Sequence, residues 1–449
     1  MTEKRAQFAT RLGVIATTVG SAVGLGNIWR FPYEAGVHGG GAFLLIDLFF
    51  IFVIGVPVIC AEFIIGRHTG SNVRGAFKAL APGKAWGVMG YIGIIASLLI
   101  LSFYSVVAGW TMEYIFQSLR DFSGVHSADG LHDQFDTFAQ SNLRPVMWTV
   151  VFLICNYLIL ARGVRKGIEK MSNILMPMLF VILIIFAINS LMMPEVAKGL
   201  EFLFKPDFSK ITPSVLLGGM GQAFFSLSLG LGCLITYSSY FKKDTPLVRT
   251  AFTTAGLDTL VSVLAGVIIF PAVFTFGQEP AAGPKLVFEV LPSIFINLPG
   301  GMIWSTLFFI LLFLASLTST ISMSEISIAY FVEEFKMERK KATRLNIVIA
   351  IVFGTLCALS FGCMSDFTIF GFTLFNLFDY LSSNILLPVG GMITSIFVGW
   401  VLDRSVVRQE LNLSAKPVSR FAFAAIVFCL RFVAPVCIGL VFIFGLGIF

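Results

Sequence analysis

Apolar stretches of about 20 or more residues recur along this chain with short polar connections between them, the pattern of helices that cross a bilayer. They predict eleven spans, near 11–36, 40–67, 86–116, 145–162, 171–193, 213–241, 247–277, 301–335, 341–362, 367–402 and 418–447. The expected fold class is an all-α polytopic membrane protein, one transmembrane domain over 1–449. Spans one to five (about 11–193) and six to ten (about 213–402) would form two repeats, with an extra helix at about 418–447. An odd number of helices per repeat makes the second copy start on the opposite side, so the repeats are inverted. The longest outer loops, 117–144, 194–212 and 278–300, are too short to be domains. In the last, the amphipathic run Pro284 to Leu291 predicts a short helix over the mouth.

Two spans are interrupted at corresponding places. The first carries Gly20-Ser21-Ala22-Val23-Gly24-Leu25-Gly26-Asn27, the second Ser226-Leu227-Ser228-Leu229-Gly230-Leu231-Gly232. Unpaired backbone groups inside a bilayer cost several kcal/mol each, so an unwound helix persists only where something polar satisfies it. Paired breaks in two halves of a membrane protein point to a transporter's midplane site. Freed carbonyls between Gly20 and Val23, with the Asn27 amide oxygen, are hard ligands suited to an alkali cation. The N–H groups of Leu25 and Gly26 begin a half-helix whose positive end favours a carboxylate. Close helix packing by small residues is the competing explanation for a single glycine cluster, and the second break weighs against it.

Composition agrees: 57% of residues are hydrophobic and 12% charged. The net charge of +6 does not imply a nucleic-acid partner, because most Lys and Arg lie in alternate loops, such as Arg162 to Lys170 and Arg339 to Arg344. That is the positive-inside pattern, which places the N-terminus in the cytoplasm and, after an odd number of spans, Phe449 outside. Met1 to Arg11 is short and charged, and the next span lacks a small-residue cleavage site, so it reads as a retained helix. The seven cysteines sit in or beside apolar segments as small hydrophobes. The four histidines (His38, His68, His126, His132) are scattered towards loops without metal spacing or a partnered nucleophile, which argues against an enzyme.

The string Gly24-Leu25-Gly26-Asn27-Ile28-Trp29-Arg30-Phe31-Pro32, followed by Gly39-Gly40-Gly41-Ala42-Phe43, resembles the neurotransmitter:sodium symporter family. The similarity continues through Gln222 to Gly230 and Leu317-Thr318-Ser319, and so covers nearly the whole chain. The resemblance implies sodium-coupled symport by alternating access on a 5+5 inverted-repeat fold with helices one and six unwound. It implies two sodium ions, with the first bound by Ala22, Asn27, Ser226 and Asp258. The second would be bound by Gly20, Val23, Ala315, Thr318 and Ser319. By spacing, Ala315, Thr318, Ser319 and Ser322 share one helix face, although Ser and Thr in such helices also bond back to their own carbonyls.

The implied substrate pocket is lined by Ala22, Gly24, Leu25, Gly26, Ile100, Tyr104, Phe225, Ser226, Ser228, Leu231, Ser319 and Met323. Tyr104 would bind the substrate carboxylate, and Phe225 would close over it. No acid lines this pocket, and Gly24 stands where biogenic-amine carriers have Asp. The expected substrate is therefore a neutral hydrophobic or aromatic amino acid that brings its own carboxylate.

Two residues depart from the family pattern. Asp258 stands where many members have Asn, with Ser262 one turn on, and Asp47 stands where a chloride-binding Tyr is usual. A carboxylate inside the membrane is a functional group by default, and Asp258 would supply the fixed charge that chloride supplies elsewhere. Chloride is accordingly not expected as a cofactor, and Asp47 keeps open a proton-coupled or substrate-sensing alternative. By resemblance Glu62 is a structural acid that accepts hydrogen bonds from the stretches near Gly26 and Gly230. Arg30 with Asp366 forms an outer gate, and Arg5 with Glu333 and Tyr240 an inner one. Phe8 replaces a usual Trp, which loosens that latch. The expected location is a bacterial inner membrane.

Overall fold

The computed structural model describes residues 6–125, 127–277, 286–413 and 418–447. The chain enters through α1 (Arg11–Ala22) and, after a short non-helical stretch, α2 (Gly26–Val37), the two bent by 54°. Then come α3 (Gly41–Thr69), the amphipathic α4 (Val73–Leu80) and the long α5 (Ala85–Ser118). The helix α6 (Ala128–Gln140) precedes α7 (Arg144–Leu160), α8 (Val164–Ser190) and the short α9 (Val196–Phe204). The second broken pair is α10 (Pro213–Ser226) and α11 (Cys233–Ser238). The rest comprises α12 (Leu247–Thr275), the short α13 (Val287–Ile296), α14 (Gly301–Glu334), α15 (Arg339–Leu359), α16 (Leu374–Val401), α17 (Arg404–Asn412) and α18 (Arg420–Gly445).

Eight helices among the described residues are long and apolar enough to cross a membrane, or ten when each bent pair counts as one span. That is fewer than the eleven expected, because α10 and α11 are each too short to cross alone. A further difference lies at the tenth expected span, which starts at Leu374 and not at 367. Thr368–Ile369 and Phe372–Thr373 instead pair as an antiparallel hairpin, with Thr368 opposite Thr373. Phe370 and Gly371 both have positive φ there, a turn no helix accommodates. The run predicted at Pro284 to Leu291 is helical from Leu286, and its start lies outside the described residues.

Burial sorts the helices. In α5 78% of the most apolar window is buried, in α18 only 22%, so α5 is central and α18 peripheral. α5 packs along α14, with α7 and α15 beside it, while α1 lies against α14, α8 and α12. Exposed apolar side chains repeat along single faces, such as Ile174, Val181 and Ile188 on α8. A soluble protein would not expose such stripes, whereas a bilayer covers them.

Candidate functional site

The first break begins at Val23, which caps α1 in an extended conformation (φ −65°, ψ 120°). Its carbonyl, freed from the helix ladder, accepts the Ser319 hydroxyl of α14 at 2.9 Å. Two residues earlier, the Ser21 carbonyl accepts the Ser228 hydroxyl at 3.1 Å. On the far side of the gap the Leu25 N–H donates to the Tyr104 hydroxyl at 2.9 Å, and the Gly24 N–H to Asn27 Oδ1 at 2.9 Å. Orphaned backbone groups therefore find side-chain partners, as burial demands. Gly24 is required by space: a Cβ there would lie 2.7 Å from Ser319 Oγ and 2.9 Å from Tyr104 Oη.

The second break spans the residues between α10 and α11 and turns through positive φ at Ser228 (53°), Gly230 (78°) and Gly232 (85°). A side chain at Gly230 would also meet the Leu387 carbonyl at 2.3 Å, so glycine is needed there twice over. The Gly230 N–H is satisfied by Glu62 Oε1 at 2.8 Å from α3, which packs along α11. The expected partnership of Glu62 with the first break is not formed, since α3 brings the carboxylate to the second break alone. Ser228 is the non-glycine residue held in a left-handed conformation here, a strain that commonly marks a functional turn.

The two breaks meet around one small cavity, lined by Ala22, Gly24, Gly26, Ile100, Tyr104, Phe225, Ser226, Ser228, Leu231, Ser319, Met323 and Leu387. Every residue read as pocket lining from the sequence is here except Leu25, whose contribution is the N–H bonded to Tyr104. Leu387 was missed; it stands at the turn of α16 that touches Gly230, a contact that spacing along the chain cannot reveal. No charged side chain lines the cavity.

Beside it lies a buried polar cluster. The Asn27 amide donates to Asp258 Oδ1 at 2.8 Å, Ser262 Oγ at 3.0 Å and Ser226 Oγ at 3.1 Å. Ser226 in turn donates to the second Asp258 oxygen. The predicted first ion set is thus gathered with one difference: Asn27 turns its NH2 towards the carboxylate, and its oxygen back to Gly24. Three acceptors around one point draw the donor end of an amide. The second predicted set also converges, with Ser319 on the Val23 carbonyl and a Gly20 Cβ position 3.3 Å from Thr318 Cβ. Ala315 is fully buried one turn before Ser319, and the Thr318 hydroxyl bonds back to the Ala315 carbonyl at 3.0 Å. Asp47 is buried on α3, close enough to Asp258 for their charges to interact, and its Oδ1 has no hydrogen-bond partner.

The gates differ from expectation. Arg30 lies 3.5 Å from Glu34, one turn along α2, and 4.3 Å over the Phe225 ring, not on Asp366. Asp366 stays in the exposed turn before the hairpin, since the helix expected to begin there does not form. Of the expected inner gate, Arg5 lies outside the described residues. Glu333 accepts from the Asn72 N–H at 2.7 Å, and Tyr240 donates to Glu325 Oε1 at 2.7 Å. Glu325, fully buried on α14, is held by both Arg339 nitrogens at 2.9 and 2.6 Å. Phe8 is buried among Tyr237, Tyr240 and Phe241, with its N–H on the Tyr240 carbonyl at 3.0 Å. Glu169 at the start of α8 caps α1, accepting the Ala9 and Thr10 N–H groups at 2.9 and 3.1 Å. The sequence reading passed over Glu169 and Glu325 because each is a single acid beside a basic loop that topology already explained.

The sequence profile of the sodium:neurotransmitter symporter family matches residues 5–129 and 127–449. The chain belongs to this family. It is 38% identical over 447 residues to an uncharacterised sodium-dependent transporter of Bacillus subtilis, covering 99% of each chain. The sodium-dependent serotonin transporter of Drosophila melanogaster is 26% identical over 489 residues, 98% of this chain and 76% of the relative. Among solved structures, MhsT in complex with L-phenylalanine superposes with a TM-score of 0.90 at 45% identity, over 98% of this chain and 99% of that one. These relatives are transporters, which supports the reading of the chain as a carrier and not an enzyme.

Proposed function

We propose that this symporter couples two sodium ions to the uptake of a neutral hydrophobic or aromatic amino acid, without a need for chloride. The observation that carries the reading is the acid-free cavity at which both unwound stretches meet. Backbone N–H groups and Tyr104 would hold the substrate carboxylate, while Ile100, Phe225, Leu231 and Met323 enclose an apolar side chain. That L-phenylalanine is bound in the solved relative supports the substrate class. The Asp258 cluster would hold one sodium ion, reached by the Asn27 oxygen after a half-turn of its amide, and supplies the negative charge in place of chloride. Val23, Ser319 and their neighbours would hold the other. At about 100 mV an ion gains roughly 2.3 kcal/mol, and a tenfold gradient adds about 1.4. Two ions then supply about 7 kcal/mol, a roughly 10⁵-fold accumulation against about 500-fold for one.

In this reading α10 and α11 are one broken span, and the chain is a single domain of eleven spans with the N-terminus cytoplasmic, in a bacterial inner membrane. The unpartnered Asp47 oxygen favours a second reading, in which a proton moves through the Asp47–Asp258 pair. Uptake of labelled tryptophan, phenylalanine and leucine into proteoliposomes, with sodium and then potassium outside, tests both. Accumulation only with sodium supports the symporter. Uptake driven by a pH gradient without sodium overturns it in favour of the second reading.

A further inference from the structure

The short helix α17 runs between the last turn of α16 and the start of α18, and its two sides carry different chemistry. On one side Val407, Glu410 and Leu411 are buried. Glu410, the acid within this helix, accepts from Arg67 Nε of α3 at 2.7 Å, and its other oxygen lies 3.0 Å from His68 Nδ1. On the other side Arg404 and Arg408 are exposed, four residues apart and so neighbours on one helix face. With Glu410 committed to Arg67, neither arginine has an acidic partner among the described residues. The nearest acid in sequence, Asp403, caps the helix and accepts the Ser405 N–H at 2.8 Å. Two like charges one turn apart destabilise a helix unless an anion lies between them.

The arginines face a recess between two helices. Arg404, Ser405, Arg408, Gln409 and Asn412 line it from α17, and Phe423 from the start of α18. Asn412 Oδ1 accepts the Val418 N–H at 2.9 Å, which ties the two walls together. The Arg408 guanidinium lies over the Phe423 ring, 5.0 Å from its centroid. A guanidinium seated on a ring keeps the N–H donors at its edge free for an oxyanion. The surroundings are apolar and bare: Trp400 at the end of α16 is 55% exposed, Phe421 83% and Phe428 57%. Tryptophan concentrates where a bilayer meets water, and exposed phenylalanines of this kind need lipid to cover them. The recess therefore opens where the apolar belt ends and headgroups begin.

We infer that this recess binds the phosphate of an anionic phospholipid, with Arg404 and Arg408 as its ligands. Basic pockets between helix ends are suited to such headgroups. A zwitterionic headgroup fits less well, since its cation would meet the same arginines. A soluble phosphate would supply the charge but cover none of the apolar surface beside it. The bound lipid anchors more than α17. Arg67, which holds Glu410, also donates to the Thr245 carbonyl at 2.6 Å, in the connection between α11 and α12. A headgroup on α17 thus steadies α3, α11 and α12 together, and the protein resists heat better with it than without. That the recess opens towards the cytoplasm rests on the topology proposed above; the binding itself does not.

The test uses the purified full-length protein in detergent with added dioleoyl-phosphatidylglycerol, read by native mass spectrometry and by thermal unfolding. Dioleoyl-phosphatidylcholine and inorganic phosphate are the controls. The expected result is one phosphatidylglycerol held more tightly than the rest, with a rise in melting temperature that phosphatidylcholine does not reproduce. In the double variant Arg404→Gln with Arg408→Gln the affinity falls about 10- to 30-fold, the loss of two basic groups at a membrane surface, and the rise disappears. Lys341→Gln with Arg344→Gln removes the same charge from α15 and leaves both intact. Circular dichroism with size exclusion confirms that each lipid-free variant is folded. Equal losses in the two double variants, or phosphatidylcholine bound as tightly as phosphatidylglycerol, overturn the site. Inorganic phosphate that gives the full thermal shift overturns the lipid in favour of a soluble anion. A preparation without sodium-driven uptake still answers this titration, so failure of the symport reading and failure of this one are told apart.

Discussion

The Asn27 amide donates to Asp258 Oδ1 at 2.8 Å, joining the break in the first span to the middle of α12, 231 residues away. In the proposed reading this contact makes Asp258 both the anchor of the unwound stretch and the fixed charge beside the first ion set. Asp258→Asn keeps the shape and removes the charge. Its half-saturating sodium concentration is expected to rise about 10- to 100-fold, the range for losing a charged hydrogen-bonding partner. Wild-type uptake in chloride and in gluconate is expected to be equal. A chloride requirement in the wild type, or an unchanged sodium response in the variant, would show that Asp258 does not play this part.

Gly24 tests the pocket. An added methyl would press on the Tyr104 and Ser319 hydroxyls that satisfy the break, and overpacking of this kind costs about 1–3 kcal/mol. Gly24→Ala is expected to weaken amino-acid binding about 10- to 100-fold in a scintillation-proximity assay, with the protein still folded. Binding at wild-type affinity would mean that the space beside Gly24 is not where the substrate sits.

Glu325 and Arg339 test the buried ion pair between α14 and α15. Removing one partner of a buried ion pair costs about 3–5 kcal/mol, because the other charge is left uncompensated. Glu325→Ala is expected to lower thermal stability in detergent sharply, and the double change Glu325→Met with Arg339→Met to recover most of the loss. A single variant as stable as the wild type would show that the pair carries no buried charge.

Glu169 clamps the start of α1. Losing a cap costs about 0.5–2 kcal/mol, and a negative charge at a helix N-terminus adds to the effect. Glu169→Gln is expected to increase labelling of a cysteine placed at Thr10, since the clamp no longer holds that end against α8. Labelling equal to that of the Glu169-containing control would assign the clamp no role in holding α1.

The apolar runs, the two breaks and most of the pocket were legible because each writes a local signal: length, glycine pattern, motif. Gly24 to Pro32 and Gln222 to Gly230 themselves contain five of the cavity's twelve lining residues, and the family resemblance they carry names six more. What stayed hidden depends on partners distant in sequence. Leu387 enters through contact with Gly230, and Glu169 through the end of α1, 159 residues before it. Arg30 faces Glu34 one turn away, and an apparently helical segment after Asp366 folds as a hairpin, where Phe370 and Gly371 take conformations that hydrophobicity does not encode.

The Val23 carbonyl waits for a hydroxyl that lies 296 residues further along the chain. During synthesis the first half therefore enters the membrane with the Ser21 and Val23 carbonyls of its unwound stretch unpaired, because Ser228 and Ser319 come later in the chain. The nascent chain carries an open wound in its first helix until α14 is inserted. Assembly of the two halves and creation of the site are consequently one event: a ribosome stalled before α14 would leave behind no weaker carrier, only a substrate for quality-control proteolysis.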